Sequence, residues 1–340
     1  MAVLIPPRES PARPSLSGGG FAPPPWRPKR LRPAPAGLLA LLAAALSACA
    51  APVEGAQRAE REACVFGAGA VSPLLGAAGA VVEGSINGEP AKLAVSTGIG
   101  ITSVLPGSVQ ALGLPTDPVR RTGAGARGGS ADVRQIVRVR GLRAGGRDWG
   151  ERSLAVRPYF MPDGSPPAFD AMIGADLLRE TELELDLPAR RVAFHARRDC
   201  RPGAPPWEPA SSVPMDQHNH GSPVVAVRVN GQEVRALVHS GDNATAMTRR
   251  LADRLGLAQA DATGRSARSH GTHAGVSRGE EFRVRELATG QEVLRDVPVV
   301  VTADGTGGAE ELVLGQDWLR RRKVWLSFGG RRVFLAPAGG

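Results

Sequence analysis

The sequence predicts an all-β protein of two tandem lobes related by a pseudo-two-fold axis. Each lobe is expected to be a small closed or nearly closed barrel with a short helix after its glycine motifs. Three observations predict this: an internal repeat, an Asn-Gly hairpin signal at the same place in each copy, and short, evenly spaced β-prone runs. Ile86-Asn87-Gly88 through Val95-Ser96-Thr97-Gly98 aligns with Val229-Asn230-Gly231 through Val238-His239-Ser240-Gly241 at a constant offset of 143. The offset still holds at Leu112-Gly113-Leu114 against Leu255-Gly256-Leu257. A second block, Ile173-Gly174-Ala175-Asp176-Leu177-Leu178-Arg179, matches Leu314-Gly315-Gln316-Asp317-Trp318-Leu319-Arg320 at an offset of 141, and Arg190-Arg191-Val192 then matches Arg331-Arg332-Val333. Two blocks in the same order at almost equal spacing mark a duplicated unit. The units are expected at 64–200 and 210–337, with residues 201–209 as a Pro-rich linker.

In chain order, Ala80–Ile86 and Ala91–Val95 flank Asn87-Gly88, and Val224–Val229 and Val234–Val238 flank Asn230-Gly231. Asn-Gly between apolar runs is the strongest short hairpin signal. Gly98 and Gly241 follow the returning strands at once and permit a sharp loop. Short helical patches come next, Ser108–Leu112 and Thr248–Leu255, with Gly113 and Gly256 as C-terminal stops. Leu183–Leu187 with Val192–Phe194, and Val324–Leu326 with Val333–Leu335, form a late hairpin in each unit. Short strands joined by Gly-rich turns suit a small barrel.

The chain is long enough for two domains, and 42% hydrophobic residues suffice for a core. Aromatic residues are only 4%, too few for a nucleic-acid stacking platform. The net charge of +9 is concentrated at the start, where residues 1–48 hold six basic residues against Glu9. With three Lys (Lys29, Lys92, Lys323) and the rest of the basic residues Arg, the high charge is no argument for a nucleic-acid partner. Residues 1–49 read as a leader. A stretch rich in Pro, Arg and Gly (6–35) is expected to be disordered. Lys29, Arg30 and Arg32 then precede the apolar run Ala36–Ala48, the pattern of an export signal. Leu46-Ser47-Ala48-Cys49 resembles the lipobox of bacterial lipoproteins, which would make Cys49 a lipidated membrane anchor; plain cleavage after Ala50 is the alternative. Export to the periplasm or cell envelope would favour a disulfide between Cys64 and Cys200, with two separate buried thiols as the alternative. No apolar run reaches the length of a transmembrane helix.

The loops after the hairpins carry the chemistry. Ala94-Val95-Ser96-Thr97-Gly98-Ile99-Gly100 and Leu237-Val238-His239-Ser240-Gly241-Asp242-Asn243, with the later Met172-Ile173-Gly174 and Val313-Leu314-Gly315, resemble the two motif blocks of retropepsin-like aspartic proteases. The resemblance covers nearly all of residues 64–337. It implies one active site built from both lobes, each supplying an Asp of a pair that shares a proton. Here those positions are Ser96 and His239. Neither side chain can reproduce a shared carboxyl proton, so the resemblance implies a scaffold kept and a catalytic pair lost. Thr97, Gly98, Ser240 and Gly241 would preserve the loop shape. Asp242 is the one acid in either loop, three residues after His239.

The leading expectation is therefore a pseudoenzyme that binds an extended peptide or an envelope protein in the inter-lobe cleft, by strand addition. The alternatives are an active peptidase, by the family's route or with Ser96 as nucleophile, His239 as base and Asp242 as orienter, and a structural lipoprotein whose cleft is filled by its own side chains. If Ser96 and His239 are not a catalytic pair, they are expected to hydrogen-bond across the junction. No cofactor, metal or nucleic acid is expected. His239 with His270 and His273 is the one combination that would suit a metal, but loop histidines are more often solvated. His218 and His220 are expected on the surface, and His195 exposed or near Cys200. Arg320-Arg321-Arg322-Lys323 is expected to cap the preceding helix, where cations suit the dipole.

Overall fold

The computed structural model describes residues 70–338, apart from 77–78, 126–130, 160, 162–164, 197–202, 219–220, 271–275 and 304–309. All of these fall within one compact unit, Glu54–Gly340. The leader with Cys49, both expected disulfide cysteines, His220, His273 and the side chain of His270 lie outside the described residues.

The first half contains β1 (Ser72–Pro73), β2 (Val81–Ile86), β3 (Glu89–Val95), β4 (Ser103–Val104) and the helix α1 (Pro106–Ala111). It continues with β5 (Thr116–Gly125), β6 (Ala131–Val139), β7 (Leu142–Ala144), β8 (Arg147–Asp148) and β9 (Arg152–Val156). It ends with β10 (Ala171–Ile173), α2 (Ala175–Leu178), β11 (Thr181–Asp186) and β12 (Arg191–Ala196). The second half opens with β13 (Ser211–His218), β14 (Ser222–Val229), β15 (Gln232–Val238), β16 (Ala246–Thr248) and α3 (Arg249–Arg254). Then come the long strands β17 (Ala262–His270), β18 (Val276–Thr289) and β19 (Glu292–Thr302). Last are β20 (Leu312–Leu314), α4 (Gln316–Leu319), β21 (Arg322–Ser327) and β22 (Arg332–Pro337).

The first hairpin of each half turns where the sequence says it should. Asn87 and Gly88 take φ of 57° and 91°, and Asn230 and Gly231 take 49° and 84°. Both residues of such a turn must be left-handed, which Asn and Gly tolerate. The Asn side chains also tie each turn to a neighbouring strand. Oδ1 of Asn87 accepts the Arg140 N–H at 2.6 Å, and Oδ1 of Asn230 accepts the Glu286 N–H at 3.1 Å.

The strand pairing that surrounds the loops also repeats. β3 runs parallel to β10, which pairs antiparallel with β4, which runs parallel to β9. β15 runs parallel to β20, which pairs antiparallel with β16, which runs parallel to β19. Gly174 and Gly315 sit where these layers cross. A β-carbon on Gly174 would stand 2.8 Å from the Ile99 carbonyl oxygen, and one on Gly315 would meet the Ala244 carbonyl. Only glycine allows so close an approach.

Among the described residues the strands form a thirteen-stranded and a nine-stranded sheet. In the second half β14 also pairs with β18, whereas strands of the first half make a nine-stranded sheet ending on β5 and β8. The late hairpins of the two halves pair with each other, in the order β1-β12-β11-β21-β22-β13. β11 meets β21 antiparallel, with Leu183 opposite Leu326 and Leu185 opposite Val324. Those apolar side chains are completely buried and belong to one hydrophobic cluster that runs through both halves of the chain. The physical reason is edge protection: each late hairpin would otherwise present an open strand edge, and pairing satisfies both.

On the other face of this shared sheet His195 is not exposed, while its expected neighbour Cys200 lies outside the described residues. His195 is buried, with Nε2 3.3 Å from Glu184 and its ring 4.6 Å from that of Trp325. The basic run does not end as a helix cap either. Arg320 is the C-cap residue of α4, but Arg322 and Lys323 turn inward as the start of β21. Arg322 lies 3.9 Å over the Trp318 ring and 3.0 Å from Glu292; Lys323 bonds Glu184 at 2.9 Å. Burial pushes the Arg322 guanidinium down to about 10 despite the Glu292 charge. His218, expected at the surface, is half-buried at the end of β13.

Candidate functional site

The two loops meet face to face and hold each other by four reciprocal bonds. The Thr97 hydroxyl donates to the Val238 carbonyl at 2.6 Å and accepts the Ser240 N–H at 3.0 Å. The Ser240 hydroxyl donates to the Val95 carbonyl at 2.6 Å and accepts the Thr97 N–H at 3.1 Å. Thr97 and Ser240 are both fully buried, so these bonds satisfy groups that water cannot reach. Each loop is anchored to the strand beside it in the same way: Ser96 N–H to Ile173 and His239 N–H to Leu314, both at 3.0 Å.

This grip brings Ser96 and His239 together. A β-carbon on Gly241 would lie 2.6 Å from Ser96 Oγ and 2.8 Å from His239 Cε1, so hydroxyl and imidazole meet over one glycine. The imidazole also lies flat against Gly98, where any β-carbon would strike it. The expected hydrogen bond between the two is not made, because the buried Ser96 hydroxyl has no hydrogen-bond partner among the described residues. Nδ1 of His239 instead accepts the Gly241 N–H at 2.9 Å. That bond places the proton of the neutral ring on Nε2. A ring with Nδ1 occupied and Nε2 protonated has no free lone pair with which to take a proton from Ser96.

Asp242 is completely buried, and its carboxylate accepts the Ser269 hydroxyl at 3.0 Å and the Ala244 N–H at 3.4 Å. It helps fix the loop to β17 and is not the orienter of Nδ1, which is already an acceptor. The supporting acids of the two Gly motifs repeat their roles. Asp176 accepts the Thr102 hydroxyl at 2.6 Å, and Asp317 accepts the Thr245 hydroxyl at 2.8 Å. Burial raises the Asp317 carboxyl above its ordinary range, although hydrogen bonds from Thr245 and Trp318 oppose this.

Over the two loops lies a cavity of about 430 Å³. Ile99, Tyr159, Met161, Phe169 and Met172 of the first half form its apolar wall; His239, Asn243, Gln316 and Arg320 come from the second. The Tyr159 and Phe169 rings meet edge-on at 5.2 Å. Burial and the Asp242 charge push the Tyr159 hydroxyl up to about 12. Gln316 donates to the Ser240 carbonyl at 2.9 Å and accepts from Arg320 at 3.0 Å, so it links the loop to the exposed guanidinium. Among the described residues no group of three or more His, Cys, Asp and Glu is placed to hold a metal ion.

Residues 225–321 match the family model described as "gag-polyprotein putative aspartyl protease". That segment is similar to retropepsin-like aspartyl proteases. The match spans the second loop, the long hairpin strands and the second Gly motif, and the described region is mostly β with a few short helices. One similar solved structure is a retropepsin-like aspartic protease from Rickettsia conorii, 15% identical over 38% of this chain and 94% of that one, with a TM-score of 0.28. No curated protein matches the chain.

Sequence reasoning located both loops of the repeat but missed the cavity wall. Tyr159, Met161 and Phe169 lie in a segment with no counterpart in the repeat, and no periodicity marks them. Gln316 was detectable, because the repeat sets it against Ala175, the one position of the block where a polar residue replaces an apolar one. Such a departure from internal symmetry is where an asymmetric site begins.

Proposed function

We propose that this protein is a non-catalytic member of its family that binds extended peptide in the cleft over Ser96 and His239. The observation that carries this is a cavity of about 430 Å³ held over an intact loop grip, with no carboxylate in its lining among the described residues. Shared-proton acid catalysis needs two close carboxyl groups; binding by backbone pairing does not. β5 and β17 are end strands of their sheets, and Asn243 reaches the Arg268 carbonyl of β17 at 3.3 Å, so strand edge and cavity adjoin. A peptide adding to such an edge would gain affinity from main-chain hydrogen bonds and specificity from the cavity. In this reading the chain is exported and held at the membrane by lipidated Cys49, facing peptides of the cell envelope.

The test is incubation with a randomised peptide library from pH 3 to pH 8, read by mass spectrometry and by retention on the immobilised protein. Peptides retained and left intact are the expected result. Cleavage that disappears in Ser96→Ala would replace this reading with a serine hydrolase. Labelling by radioactive palmitate, lost in Cys49→Ser, checks the anchor.

A further inference from the structure

The two sides of the cleft are not equivalent. Val81, Ala94 and Met172 line the cavity of about 430 Å³ on its first-half side. Their counterparts in the repeat are Val224, Leu237 and Val313, at the offsets of 143 and 141 that relate the two copies. Those three are 1%, 3% and 0% exposed and pack on one another as a hydrophobic cluster of their own. The exchange of Ala94 for Leu237 supplies part of the difference, because the larger side chain fills space that an alanine leaves open. The backbone supplies another part. A β-carbon on Gly221, just before β14, would lie 3.1 Å from the Ala175 carbonyl oxygen and 3.0 Å from Arg179 Cδ. Ala175 and Arg179 hold the places in the repeat that Gln316 and Arg320 hold in the cavity lining. The chain entering β14 is therefore seated on the counterpart of a wall that faces open space on the first-half side.

The open side suits an apolar group with a polar one beside it. Tyr159, Met161 and Phe169, from the segment without a counterpart in the repeat, add to its apolar wall. The Ser96 hydroxyl lines the same space, is 1% exposed and has no hydrogen-bond partner among the described residues. A buried hydroxyl calls for a partner, and a ligand entering the cavity can supply one. An apolar side chain carried on a main-chain amide meets both demands. The volume of about 430 Å³ falls near the lower end of the range for ligand pockets, roughly 300–1,000 Å³, which is room for one such residue.

We infer that the cleft anchors its peptide through one large apolar side chain, seated on the first-half side against Tyr159, Phe169 and Met172, while the matching place in the second half is filled by the protein itself. This rests on the cleft-binding reading above and narrows its ligand. Main-chain pairing alone would accept a peptide in any register, whereas a single anchor fixes one.

Tyr159 is the single tyrosine of the chain, so 3-fluorotyrosine labelling of the full chain gives one fluorine resonance at the cavity wall. The probes are uncharged octapeptides of alanine and serine, capped at both ends. One has no aromatic residue, one has a central phenylalanine, and a set adds a second phenylalanine at each other position in turn. The peptide with one phenylalanine should shift the resonance at concentrations roughly tenfold to a hundredfold below those the aromatic-free peptide needs, the gain from burying one such side chain. A second phenylalanine should add no comparable gain at any position. Ala94→Leu, which gives the first half the residue of the second, should abolish the advantage of phenylalanine. Leu237→Ala should create one for a second phenylalanine, with near-ultraviolet circular dichroism confirming that both variants fold. A second phenylalanine that gains as much as the first, or an advantage that survives Ala94→Leu, would overturn the inference and leave the cleft-binding reading standing. A resonance that no peptide moves would overturn both. Toluene acting at as low a concentration as the phenylalanine peptide would also overturn both, because the main chain would then contribute nothing.

Discussion

Thr97 and Ser240 show how much two hydroxyls can hold when nothing else can reach the same atoms. Each both donates and accepts across the junction, and every partner is a buried main-chain group. Thr97→Val keeps the shape and removes the hydroxyl, leaving the Ser240 N–H and the Val238 carbonyl without partners. Unsatisfied buried groups cost about 1–3 kcal/mol each, so Thr97→Val should lower stability by about 2–5 kcal/mol in urea unfolding. Ser240→Ala added to it should cost much less than the two single changes together, since the two residues act on one network. Strict additivity would mean the loops do not depend on each other. The same residues explain why the site was legible in the sequence. The grip needs a hydroxyl and a glycine after the hairpin in both copies, so selection for geometry leaves a spaced pattern. What faces the cavity needs no matching partner in the other copy, and Tyr159 and Phe169 left no comparable mark.

Among the elements, the late hairpins are the best example of one pattern with two local solutions. Arg190 and Arg331 hold the same place in the repeat and the same left-handed backbone, with φ of 54° and 52°. A β-carbon there costs about 1–2 kcal/mol. Arg190 offsets the strain with guanidinium bonds to the carbonyls of Leu74 at 3.0 Å and Gly76 at 2.7 Å. Arg331 is exposed at its turn and only its carbonyl is engaged, by Met215 N–H at 2.8 Å. Arg331→Gly should therefore raise the urea midpoint by the equivalent of about 0.5–1 kcal/mol without changing the slope. Arg190→Gly should show no gain. Equal effects at the two positions would mean the side-chain bonds of Arg190 contribute nothing. The pairing of these hairpins was not legible from the sequence. β11 alternates acids with leucines, the usual signature of a strand with one wet face, yet all six of its residues are buried. The missing information lay in β21, about 140 residues later, whose Lys323 and Trp325 cover the acids.

At the scale of the whole molecule, the halves are joined by a small buried ionic cluster as well as by apolar contact. Glu184 of β11 accepts from His195 at 3.3 Å and pairs with Lys323 of β21 at 2.9 Å. Burial by itself would raise the Glu184 carboxyl. The hydrogen bonds and charges of His195 and Lys323 outweigh it and hold the group below the ordinary 4.5. A carboxyl depressed in the folded state adds stability above its unfolded value and loses it as the pH falls through the folded one. Stability should thus decline below about pH 4.5, measured as the urea midpoint against pH. Lys323→Met should cost about 3–5 kcal/mol at neutral pH, because it strands a buried charge. Adding Glu184→Gln should recover most of that loss and flatten the acid decline. A double variant as unstable as Lys323→Met would place the cost in packing, with Trp207 over the lysine as the first suspect.

The order of strands in the shared sheet bears on how the chain is made. β11 leaves the ribosome with β12 on one side only, and its other neighbour, β21, lies some 140 residues downstream. Throughout that interval β11, which carries Leu183 and Leu185, has an uncovered edge. Such an edge can pair with another copy as readily as with its own chain. During translation, then, a holding chaperone would matter most in the stretch between completion of β12 and emergence of β21.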